Sequence, residues 1–201
     1  MREPFFPKDK SPGQLLLENR EYIAPVLFYL SGLFIGTFLY HADSPLSALL
    51  EKFGALNDSP LLTLFINRFA LYIAVYALTV LLGMCLIGFP FINLVPLFTG
   101  VAVALRASYF YVAYPVKGIG YTLLMLAPES AAFVTVLVFA IQKSRALSRS
   151  IFALTVKKED MPGSFALSAY LKSFALYIPV IAFIALVNAA AVYLLGAIVK
   201  I

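Results

Sequence analysis

Two charged side chains lie inside apolar stretches, and any chemistry in this chain would begin with them. Glu129 sits near the middle of the run Gly118–Gln142, about 25 residues and long enough to cross a bilayer. A carboxylate at mid-membrane is costly, so it must be neutral, paired, or facing protein or water. Groups of this kind carry protons or ions, or they organise a helix bundle. Pro128, just before it, lacks a backbone donor and is expected to break or kink the helix there. Arg106 is the second such charge, about 8 residues before the outer end of the preceding run; Glu129 follows the next outer start by about 11. At 1.5 Å per residue their depths differ by roughly 5 Å. One reading is therefore an Arg106–Glu129 pair, which would offset much of the cost of either charge alone. The other has Arg106 reaching outward to lipid headgroups while Glu129 is neutral. A carrier would gather more polar groups around one cavity. The apolar runs offer only Asn188 and, near an inner end, Asn93.

The elements that hold these residues are membrane helices. The chain of 201 residues is 62% hydrophobic and 12% charged, whereas soluble domains carry about 25% charged residues. A chain this short cannot bury that much apolar surface by itself. Five spans are expected, at about 23–40, 69–88, 91–114, 118–142 and 173–199. They form an all-α transmembrane bundle over residues 22–200, preceded by a polar, cytoplasmic segment, 1–21. The first span is longer than a signal core and lacks a small-residue exit, so it is expected to be retained. With the N-terminus inside, the inner segments hold Arg2, Lys8, Lys10, Arg20, Lys143, Arg145, Arg149, Lys157, Lys158 and Lys172. The outer ones hold Lys52, Arg68, Lys117 and Lys200. That bias places the N-terminus in the cytoplasm and, with five spans, the C-terminus outside. The net charge of +5 thus faces anionic lipid, and nucleic acid is not an expected partner.

The connections refine this bundle. Phe89-Pro90 and Pro115-Val116-Lys117 are short turns, so spans two, three and four are expected to form one compact antiparallel unit. Tyr109, Tyr111, Tyr114 and Tyr121 cluster near the second turn, as an aromatic belt at the headgroup level would. In the outer loop, Ser44-Pro45 opens and Gly54 closes a short helix. Its apolar stripe of Leu46, Leu49, Leu50 and Phe53 suits the membrane surface or a partner. In the inner loop, Leu147, Ile151 and Leu154 share a face, with Arg145 and Arg149 off it, the pattern of a basic interfacial helix or a solvated positive loop. Gly32 and Gly36 form a G-x-x-x-G, and Gly100 with Ala104 and Ala185 with Ala189 repeat the small-residue spacing. Such seams pack helices within the bundle or, alternatively, between copies in a homo-oligomer. Pro96 and Pro179 are expected to add kinks.

Enzyme chemistry is not expected. No glycine-rich phosphate loop or paired Cys/His spacing is present, so no cofactor or metal is anticipated. His41 stands apart from any cysteine or carboxylate cluster. Cys85, the one cysteine, excludes an internal disulfide and reads as a small buried hydrophobe. No internal repeat supports an inverted-repeat transporter.

The stretches Leu82-Gly-Met-Cys-Leu-Ile-Gly-Phe-Pro-Phe-Ile-Asn93, Leu97-Phe-Thr-Gly100, Gly118-Ile-Gly120-Tyr and Leu124-Met-Leu-Ala-Pro128-Glu129, with Ser31-Gly32 and Gly36 in the first span, resemble the stage II sporulation protein M family. The likeness covers most of residues 22–198. After the proline the sporulation members more typically carry an amide, where this chain has Glu129. The resemblance implies a multi-pass, non-catalytic protein of the bacterial cytoplasmic membrane acting in engulfment during endospore formation. By the same resemblance its partners are two peptidoglycan hydrolases, the stage II sporulation proteins D and P. The reading kept beside it is a small transporter or permease subunit using Glu129.

Overall fold

The computed structural model describes residues 20–40, 60–86, 88–152, 155 and 167–199. They form helices α1 (Arg20–Leu39), α2 (Leu61–Met84), α3 (Gly88–Phe91), α4 (Leu94–Ala113), α5 (Pro115–Tyr121), α6 (Ala127–Phe152), α7 (Leu167–Ala175) and α8 (Ile178–Val199). A π-helical turn, Thr122–Leu126, joins α5 to α6 without a break. No strand occurs among the described residues. Five stretches are long and apolar enough to cross a membrane: Glu21–Leu39, Leu61–Met84, Gly88–Ala113, Pro115–Phe152 and Tyr170–Leu194. Helices are forced here, because hydrocarbon offers no partner to a free backbone group. The hydroxyls of Thr37, Thr79, Thr99 and Thr135 donate to the carbonyls of Leu33, Val75, Val95 and Ala131, one turn back. That satisfies each polar side chain within its own helix.

Lipid is as apolar as leucine, so close packing and polar bonds, not burial from water, decide which helices touch. Small residues decide it for α1 and α4, which pack along their length. Gly32 lies against the backbone of Leu97, and Gly36 against Val101 and Ala104. Gly100 in turn lies against the backbone of Tyr29 and Leu33. The four small positions thus meet in one seam inside a single chain. Aromatic packing joins α2, α6, α7 and α8: Tyr72 stacks on Phe133 at 4.5 Å between ring centres, and the Tyr76 hydroxyl donates to the Phe174 carbonyl at 2.9 Å. Ala185, fully buried, belongs to this core. Ala189 belongs to a second, with Leu64, Phe110, Tyr121 and Met125.

Several expectations are corrected. Spans two, three and four are not one compact unit: α4 takes α1 as its main neighbour, while α2 packs on α6 and α8. A short turn fixes sequence order and direction, but the small residues on α4 face α1 and set the contact. Tyr121 is buried, its ring 4.2 Å from that of Phe110, so it is core and not belt. Cys85 is exposed, because α2 ends at Met84 and the chain turns there into α3. The basic residues Lys143, Arg145 and Arg149 continue α6 instead of starting an interfacial helix, with Leu147 buried in the main core. Pro96 falls in the first turn of α4 and Pro179 in that of α8, where a missing donor leaves no bond broken. The stripe Leu46, Leu49, Leu50 and Phe53, together with His41 and Leu154, lies outside the described residues.

Candidate functional site

Pro128 shapes the helix around Glu129. It cannot donate to the carbonyl of Leu124, and the backbone ahead of it widens into the π turn. The amide of Ala127 accordingly reaches back five residues to Thr122. Such turns recur at functional positions in helices. The helix passes through the proline without interruption, so the expected break is a local change of pitch. Glu129, 9% exposed, then projects into the bundle.

Its partner comes from α8. The Asn188 amide nitrogen donates to Glu129 Oε2, and Asn188 is itself buried. Asn188 Oδ1 and Thr122 Oγ1 are buried with no hydrogen-bond partner. No ion pair joins Arg106 to Glu129 among the described residues. Both instead line a mostly apolar cavity of about 410 Å³ between α2, α4 and α6. The pairing fails because α4 is drawn to α1 and the carboxyl is engaged on the α8 side. A second hollow, about 190 Å³, lies between α6 and α8 and is bordered by Pro128, Glu129 and Asn188. Glu129 therefore stands between two cavities. Arg68 lies within α2. Sequence reading placed Arg68 in an outer loop; its signal was the helical lead-in from Pro60, which in fact is α2 itself.

The second polar cluster, at the other end of α4, holds Asn93. Arg145, 8% exposed, donates through Nη2 to Asn93 Oδ1 and through Nη1 to the Glu21 carbonyl at 3.5 Å. Gln142 donates to that same carbonyl, and Ser148 Oγ donates to the Cys85 carbonyl at 2.9 Å. Arg149 pairs with the Glu21 carboxylate at 2.9 Å and lies 4.3 Å from the centre of the Phe89 ring. These bonds tie the start of α1 and the α2–α4 turn to α6. Arg145 Nε is buried without a partner. Asn93 thus stands in a separate site from Glu129 and Asn188. Arg145 went unrecognised as an anchor because, as sequence, it is one more basic residue in a basic stretch.

Among the described residues, no three of His, Cys, Asp and Glu gather as metal ligands would. Five apolar helices with hydrogen-bonded polar groups at two depths define a polytopic helical membrane protein. The family model for stage II sporulation protein M matches residues 25–198, and the chain belongs to that family. This makes it a sporulation-related membrane protein. No curated protein and no solved structure matches the chain.

Proposed function

We propose that the protein is a non-catalytic scaffold of the bacterial cytoplasmic membrane that anchors peptidoglycan-degrading partners during engulfment in endospore formation. The observation that carries this reading is the family match, which extends over residues 25–198 and so takes in nearly the whole bundle. With the N-terminus inside, as the basic residues favour, the segment between the first two spans lies on the side of the wall, where such partners act. Glu129 and Asn188 then tie α6 to α8 within the scaffold. By family resemblance the partners are the stage II sporulation proteins D and P. Capture of the tagged chain in mild detergent tests this. Peptidoglycan hydrolases in the captured material support it; an ATPase subunit in their place sinks it.

A second reading, a small transporter using Glu129, draws on the position of that carboxyl between two cavities. Proton- or solute-linked flux in proteoliposomes that is abolished by Glu129→Gln would favour it over the scaffold.

A further inference from the structure

The larger cavity has a shape that the scaffold reading does not use. Its α4 wall runs from Leu94 to Arg106, twelve residue steps or about 18 Å along the helix. Its α2 wall runs from Leu71 to Leu82, about 16 Å. A wall of that length with an almost wholly apolar lining suits a hydrocarbon chain, and the guanidinium at one end favours a lipid over an uncharged helix face. Leu71, Leu78, Leu94 and Phe98 on its rim are exposed, so in a membrane it opens to lipid.

Arg106 marks one end. It is half-buried on the groove wall, seven residues from the end of α4, or about 10 Å. No carboxylate pairs with it among the described residues, since Glu129 is engaged by Asn188 from α8. A guanidinium at this depth calls for an anion, and its side chain is long enough to reach toward the headgroup layer. Phosphate matches the guanidinium fork in charge and geometry. We propose that the groove between α2, α4 and α6 holds one acyl chain of a bilayer phospholipid, whose phosphate is met by Arg106.

The chain contains no tryptophan, so one introduced indole reports without background. Phe133→Trp places it on the groove wall, and Phe174→Trp at a position of the same core that does not line the groove; both positions are buried. In vesicles of phosphatidylglycerol with brominated chains, F133W emission is quenched and F174W emission is retained. Adding R106M to F133W weakens that quenching and removes any preference for phosphatidylglycerol over a lipid lacking net charge, a loss of roughly tenfold in affinity for one charge-assisted bond. On the unaltered protein, native mass spectrometry finds one phospholipid retained through detergent extraction. Equal emission from F133W and F174W, a protein mass without bound lipid, or a second copy in the lipid's place would overturn the proposal.

Discussion

Substituting Gly100 by alanine tests the α1–α4 seam against a control that the structure itself supplies. A Cβ at Gly100 would lie 2.9 Å from the Leu33 nitrogen and 3.1 Å from the Gly32 carbonyl carbon, with the Tyr29 carbonyl oxygen nearer still. All three are helical backbone, which cannot yield one atom at a time, so α1 must move away by about 0.5–1 Å to restore normal contact. A gap of that size forfeits a quarter to a half of each contact, and about fifty contacts of roughly 0.15 kcal/mol would lose about 2–4 kcal/mol. Alanine returns about 0.5–1 kcal/mol through its better helix propensity, leaving a net loss of about 2 kcal/mol. A Cβ at Gly120 would meet nothing within 4 Å, so Gly120→Ala keeps only the propensity gain. Thermal unfolding in mild detergent, followed by circular dichroism, should put G100A below the parent protein and G120A level with it or above. Equal midpoints for the two variants would refute the seam.

Asn188→Ala removes the donor to Glu129 and should cost about 1–3 kcal/mol, read as a lower unfolding midpoint and less accumulated protein, while R106M leaves both near the parent's values. Arg145→Leu breaks the bonds to Asn93 and to the Glu21 carbonyl and should cost about 1–3 kcal/mol, the range for leaving a buried acceptor without its donor. By contrast Arg149→Ala, whose ion pair with Glu21 is about half exposed, should shift the same midpoint by less than about 1 kcal/mol. Tyr76→Phe loses one hydrogen bond to the Phe174 carbonyl and should cost about 1 kcal/mol in that assay.

Hydropathy was enough to find five apolar stretches, because span length is set by the bilayer and not by neighbours. Helix partners were harder to read. The short turn at Pro115 suggested that the helices bearing Arg106 and Glu129 pack together, yet the α1–α4 seam draws Arg106 away from Glu129. Gly32, Gly36, Gly100 and Ala104 were visible as close-approach positions, but spacing does not say which seam meets which. Pro128 was legible as a disturbance. Its outcome, a π turn in a continuous helix, depends on how the backbone closes around the missing donor. Asn188 was picked out only as a polar residue in an apolar run; its bond to Glu129 follows from the packing of α8 on α2 and α6. The anchor at Arg145 was hidden for a related reason, since a basic residue near a span end reads as an orientation signal. Only the fold brings Asn93 and the Glu21 carbonyl to it.

The measurement closest to the central claim is peptidoglycan-degrading activity on the affinity-captured chain, assayed on isolated cell wall before and after purification to homogeneity. A scaffold predicts activity in the gently captured complex, none in the homogeneous chain, and the same pattern for Glu129→Gln. Activity intrinsic to the homogeneous chain, or its absence from the captured complex, would contradict the account.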